Sequence, residues 1–349
     1  MYLKDLVDIQ MGQSPDSKFY NYDKIGLPFY QGKADFGRMN PTPKIWCSKS
    51  KKEAKPNDIL ISVRAPVGDL NINNEQSCIG RGLAAITCKP DVDMMYLYYH
   101  LKYLRPQLRH ISTGSTFESI NRSQLEKLTI DYKPYSEQIK ISNILQVVQR
   151  QIDVREKLVR LYDLLIKSRF VEIFNVNNEY IAIGELFQVI DGDRGKNYPK
   201  AIDFFDDGYC LFLNAKNVTK NGFCFDTVQF ITQQKDEQLN KGRVLPEDII
   251  LTTRGTVGNV AYCDIKSSHK HMRINSGMVI LRAKDRIYDV DFITYVLSNQ
   301  INYGKEISGS AQPQLPISKL KEIMIPFPGI FLQKDFGYLI KKINKLKFA

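Results

Sequence analysis

Between residues 136 and 174, apolar residues recur as Ile141, Leu145, Val148, Ile152, Val159, Tyr162 and Ile166, in steps of three, four and seven, with no Gly or Pro in the run. That spacing is the seam of a coiled coil. A second row, Ile144, Leu158, Leu161 and Leu165, widens the apolar face beyond what one partner helix covers. Pro134 blocks extension upstream, Ser136 is a suitable N-cap, and Glu137 suits the positive end of the helix dipole. The pattern therefore predicts a helix over 136–174, roughly 57 Å long at 1.5 Å per residue. Burial inside one large domain is the other reading of such a helix, and its flanks argue against it.

The flanks repeat each other. Leu3-Lys-Asp-Leu-Val-Asp-Ile-Gln-Met-Gly12 is answered by Ile183-Gly-Glu-Leu-Phe-Gln-Val-Ile-Asp-Gly192, at an offset near 180. Pro56, Asp58, Arg64 and Gly68 meet Pro246, Asp248, Arg254 and Gly258 at an offset of 190. Gly82, Gly114, Leu125 and Gln138 meet Gly277, Gly309, Leu320 and Gln333 at 195. The growing offset places insertions in loops of the second copy. Each copy reads as mixed α and β. Strands are expected at 58–63 and 248–253 after Pro-x-Asp turns, at 84–88 and 278–282, and at 128–132 and 323–327. Amphipathic helices are expected at 94–104 and 291–299. The second copy ends in a shorter basic segment, 333–347, with Phe336, Ile340 and Ile343 on one face. Domain, helix, domain, helix implies a pseudo-twofold object with antiparallel helices, suited to two separated targets on something itself nearly twofold, such as duplex DNA.

Composition narrows this further. A chain of 349 residues with 43% hydrophobic residues has material for two domains. It has no run of 18 apolar residues, and its first residues are polar and patterned like folded protein, so no membrane association and a cytoplasmic location are expected. The six cysteines form no C-x-x-C pair and are expected as buried free thiols, with no metal site. The formal charge is +11, with excesses of +5 over 1–135 and +4 over 333–349, and balance over 175–332. That suits a polyanionic partner without deciding for one.

The Pro-x-Asp-Ile runs leading into Arg64-Ala-Pro-Val-Gly68 and Arg254-Gly-Thr-Val-Gly258, the Gly114-Ser115 and Gly309-Ser310 motifs, and the Ser136-Glu137-Gln138 helix entry together resemble the specificity subunit of type I restriction-modification enzymes over nearly the whole chain. The resemblance implies an α+β fold: two similar α/β target-recognition domains (1–135 and 175–332) joined by a long coiled-coil helix (136–174), with a second short helix at the C-terminus (333–349). It implies a non-catalytic, cofactor-free subunit that reads a bipartite double-stranded DNA site. It also implies two modification subunits, which methylate adenine with S-adenosylmethionine, and an ATP-driven restriction subunit as partners. These would dock through the long helix, at Ile144, Leu158, Val159, Tyr162, Leu165 and Ile166. The short second helix departs from the family pattern, and the uncovered seam predicts self-association of the isolated chain.

No catalytic constellation competes with this reading. Asp35-Phe36-Gly37 lacks the accompanying kinase motifs, and Asp193-Arg-Gly-Lys196 lacks the first glycine and the Ser/Thr of a phosphate loop. His100, His110, His269 and His271 form no triad pattern. For DNA contact the candidates are Gln31 and Lys33, and Asn214, Lys216 and Asn217, since an amide beside a lysine suits an adenine edge plus a phosphate; a solvated strand end is the plainer reading. Arg64 and Arg254 suit phosphate or a brace for their own turns. Ser115, Thr116, Ser310 and Gln312 suit backbone approach to phosphate or an ordinary turn. A scaffold with two protein-binding domains is the rival function, separable by the salt dependence that phosphate contacts impose.

Overall fold

The computed structural model describes residues 1–112, 118–174, 179–264, 269–285, 287–307 and 313–348. The chain forms two compact units, Met1–Arg155 and Glu156–Ala349, so the boundary falls inside the long helix. Among the described residues no helix is long and apolar enough to cross a membrane.

The first unit holds an antiparallel sheet ordered Val7–Met11, Leu83–Cys88, Ile59–Ser62, Leu70–Ile72. Beside it lies a sheet ordered Tyr20–Asn21, Ile45–Cys47, Leu27–Tyr30, Ser77–Ile79, Glu53–Ala54, in which Leu27–Tyr30 and Ser77–Ile79 run parallel. The second unit repeats both. Its first sheet is ordered Phe187–Asp191, Met278–Ala283, Ile249–Thr252, Val260–Tyr262. Its second is ordered Phe230–Ile231, Cys210–Leu213, Met272–Ile274, Arg243–Val244, again with one parallel pair. Register repeats too, since Ile59 faces Ile86 as Ile249 faces Leu281.

The run Ile59-Leu-Ile-Ser62 is buried on both faces because it divides its residues between two cores. Ile59 and Ile61 enter one cluster and Leu60 another; Ile249 and Leu251 likewise part from Ile250. The Pro-x-Asp motif before each strand is a turn whose x residue takes positive φ, 68° at Asn57 and 72° at Glu247. The buried aspartate closes it by accepting from a backbone N–H, Lys55 N to Asp58 Oδ2 at 2.7 Å and Leu245 N to Asp248 Oδ2 at 2.7 Å. The expected strand at 128–132 is reduced to one bridge, Thr129 with Tyr2, whereas Met324–Pro326 pairs with the full segment Tyr180–Ala182.

The long helix spans Tyr135–Phe174. Ser136 does not cap it. The Pro134 carbonyl accepts from the N–H groups of Glu137 (2.8 Å) and Gln138 (3.0 Å), which moves the start upstream. A buried glutamine then ties each terminal helix to its own domain. Gln138 Oε1 accepts from Asp93 N at 2.9 Å, and Gln333 Oε1 from Asp289 N at 3.0 Å. Asp93 and Asp289 in turn cap the helices Met94–Tyr103 and Val290–Asn299. Gln333→Leu keeps the volume but strands the Asp289 N–H, so it should lower stability by about 1–3 kcal/mol. Urea unfolding would show this as a lower midpoint at unchanged slope; an unmoved midpoint would remove the glutamine from this role.

The C-terminal helix, Ile330–Phe348, packs antiparallel on the second half of the long helix. Phe336 meets the rings of Phe174 at 5.4 Å and Phe170 at 5.6 Å, while Lys347 Nζ reaches Asp163 Oδ1 at 2.6 Å. Ile340 and Ile343 join the same core as Ile166, Phe292 and Val296. This corrects the expectation for Ile166 and Tyr162. Ile166 is 4% exposed and Tyr162 is packed against the same cluster, so the chain's own C-terminal helix covers them. Ile144, Leu158, Val159 and Leu165 remain exposed.

Candidate nucleic-acid interface

Each domain presents its arginine on a pinned hairpin. Ser62 Oγ donates to the Pro66 carbonyl (2.7 Å) and accepts from Asp69 N (2.8 Å), while Gly68 N donates to the Ser62 carbonyl (2.9 Å). In the second domain Thr252 Oγ1 donates to the Thr256 carbonyl and accepts from Asn259 N at 3.0 Å, and Gly258 N donates to the Thr252 carbonyl at 3.0 Å. The return needs positive φ, 85° at Gly68 and 94° at Gly258, which glycine adopts without Cβ strain. Backbone pairing from outside completes the support. Arg64 bridges to Ser119 and Arg254 to Gln314, so the segments that follow the two Gly-Ser motifs meet the arginines. Ser115, Thr116, Ser310 and Gln312 themselves lie outside the described residues.

Gln31, Lys33 and Arg64, far apart in sequence, line one open cleft of about 850 Å³ together with Ser14, Lys44 and Arg81. Gln31 is exposed; its N–H and that of Gly32 donate to Asp35 Oδ2 at 2.7 and 3.3 Å, which fixes the loop after strand Leu27–Tyr30. Tyr30 is fully buried, and burial pushes its hydroxyl up to about 12, so it adds no charge beside the cleft. Lys33 Nζ pairs with Asp69 at 2.7 Å, and Lys44 Nζ donates to the Ala34 carbonyl at 2.7 Å. By contrast, the exposed guanidinium groups of Arg64 and Arg81 make no hydrogen bond or ion pair among the described residues. Both also line a second opening, of about 720 Å³, with Ser119, Asn121 and Arg122. Arg81 and Lys44 escaped the sequence reading. The available signal for Arg81 was its Gly80-Arg-Gly82 setting, the counterpart of Asn275-Ser-Gly277.

In the second domain the candidates separate by role. Asn217 is fully buried, with Oδ1 accepting from Asn214 N (3.0 Å) and Nδ2 donating to the carbonyls of Cys224 (3.1 Å) and Thr227 (2.8 Å). It braces the loop from inside and presents nothing to solvent, which corrects the expectation of a DNA contact. Asn214 Oδ1 accepts from Lys216 N at 2.9 Å, leaving the Lys216 side chain exposed at the tip. Arg254 is half-buried, and its Nε has no hydrogen-bond partner among the described residues. Nearby in sequence to the glycine turn, Arg194 Nη2 donates to the Ser276 carbonyl at 3.3 Å and to Asp191 Oδ1 at 3.2 Å.

Residues 1–159 and 175–347 match the type I restriction modification DNA specificity domain. Among similar proteins, the putative type I restriction enzyme MjaX specificity subunit of Methanocaldococcus jannaschii is 43% identical over 150 residues, 43% of this chain and 35% of that protein, so the chain spans about a third of that relative. The type I restriction enzyme MjaIX specificity subunit of the same organism is 25% identical over 365 aligned residues, covering 95% of this chain and 83% of that one. The crystal structure of a type I restriction-modification system S subunit from M. genitalium shares the fold at a TM-score of 0.61, with 17% identity, 99% of this chain and 89% of that chain covered.

Proposed function

Since the chain belongs to the type I restriction-modification DNA specificity family, we propose that it is the non-catalytic subunit that reads a bipartite duplex DNA sequence, one half with each domain, in the cytoplasm. The observation that carries this is the hairpin arginine built twice, Arg64 and Arg254, on matching strands with matching hydroxyl and glycine pins. In the first domain the amide of Gln31 and the exposed guanidinium groups of Arg64 and Arg81, without a partner among the described residues, converge on the same cleft, the combination that reads a base edge while holding phosphate. The exposed Ile144, Leu158, Val159 and Leu165 on the long helix then suit two methyltransferase subunits, with a restriction subunit joining the assembly; in their absence the same row supports self-association. Catalysis and cofactors belong to those partners.

The two halves should be independently encoded. Replacing Gln31 and Lys33 with alanine should alter one half of the recognised sequence only, and replacing Asn214 and Lys216 the other half only. Sequencing the methylated sites after co-expression with the partner methyltransferase reads this directly. Equal disturbance of both halves by either double variant would end the two-reader proposal. An adaptor reading would instead give partner binding insensitive to salt and no sequence-specific retention of duplex DNA.

A further inference from the structure

Resting on that reading, we propose that each domain also carries one phosphate-holding arginine at the same junction, Arg81 in the first and Arg194 in the second, supplied from opposite sides of it. The junction lies where strand Val7–Met11 or Phe187–Asp191 ends against the turn that opens strand Leu83–Cys88 or Met278–Ala283. Gly12 and Gly192 mark the point: a Cβ on either would sit 2.1 Å from the carbonyl oxygen of Gly80 or Asn275, so no side chain fits at this approach. Two residues beyond that glycine stands Ser14 in the first domain and Arg194 in the second. One residue beyond the touched carbonyl stands Arg81 in the first and Ser276 in the second. The members of each pair meet, Arg81 N donating to Ser14 Oγ at 3.2 Å and Arg194 Nη2 to the Ser276 carbonyl at 3.3 Å. Serine and arginine have thus exchanged positions across the junction, Arg81 meeting Ser14 through its backbone N–H and Arg194 meeting Ser276 through its guanidinium, so that each junction carries one arginine.

A base-reading residue has no reason to stay, because two domains that read different half-sites need different readers. The phosphate backbone is the same under every sequence, so a cation kept at one place in both domains suits phosphate. The side chains fit this role. Arg81 is exposed and borders both openings beside Arg64. Arg194 is steadied through Nη2 by Asp191 and Ser276, leaving Nε and Nη1 without a partner among the described residues. Arg194 can therefore give a phosphate oxygen single charge-assisted bonds from Nε or Nη1, while the unengaged Arg81 guanidinium keeps its parallel pair of donors.

The test uses the full chain and random-sequence duplex DNA, with affinity followed by fluorescence anisotropy across a salt series. Arg81→Ala and Arg194→Ala should each flatten the slope of log affinity against log salt by about 0.9, Arg81→Lys should keep it, and sequences selected from a duplex pool should stay the same. The double variant Arg81→Ser with Ser14→Arg, which copies the second domain's arrangement into the first, should restore the slope. Unchanged slopes in both alanine variants, or a selected sequence altered in one half, would overturn the assignment. A wild-type chain that fails to retain duplex DNA even at low salt would bring down the DNA reading itself, and this inference with it.

Discussion

A four-residue insertion after Arg155 is expected to lengthen the preferred gap between the two recognised half-sites by one or two base pairs. The helix Tyr135–Phe174 is uninterrupted through this position, and four residues add about 6 Å and slightly more than one turn. Duplex DNA rises about 3.4 Å per base pair. A site with the original gap would then engage one domain in register and the other out of it, and each wrong base pair at a recognised position costs about 1–3 kcal/mol. The original site should therefore vanish from the methylation profile while a longer-gapped version appears. Persistence of the original gap would show that the helix does not set the spacing.

Phe336→Ala should destabilise the second unit by about 3–5 kcal/mol, the usual cost of emptying a buried aromatic site. Phe336 is fully buried and its ring meets those of Phe170, Phe174, Phe292 and Tyr295, so neighbours already in contact cannot easily collapse into the space. The chain has one tryptophan, Trp46, and it lies in the first unit. Trp46 emission therefore reports the first unit, while far-ultraviolet circular dichroism reports both. The variant should lower the midpoint of one dichroism transition and leave the Trp46 midpoint where it was. A single transition seen by both probes and shifted together would mean that the two units unfold as one.

Much of this architecture was legible because its signals are periodic or repeated. The long helix, the paired strands after each Pro-x-Asp turn and the amphipathic helices all appear within a residue or two of their expected positions. The second sheet of each domain was not legible, since strands such as Tyr20–Asn21 and Glu53–Ala54 hold two residues and show no period. Asn217 looked like a reader because an exposed and a buried asparagine are spelled alike; only the carbonyls of Cys224 and Thr227 reveal its work. Ile166 fell on the seam as expected, but a heptad row fits a partner from the same chain as well as one from outside. Arg81 was missed because its place depends on Ser14, 67 residues away.

The strand Ile59–Ser62, with its counterpart Ile249–Thr252, bears on how such a protein can change what it recognises. Because alternate side chains fill different cores, a slip of one residue would misfill both at once. The framework is thereby over-determined, and correct registration does not lean on the loops that emerge from it. Gln31, Lys33, Asn214 and Lys216 follow strands Leu27–Tyr30 and Cys210–Leu213 of the neighbouring sheets, away from that doubly buried strand. Evolvability is in this sense a product of rigidity: new specificities can be sampled at the rim while a twice-checked strand holds the fold.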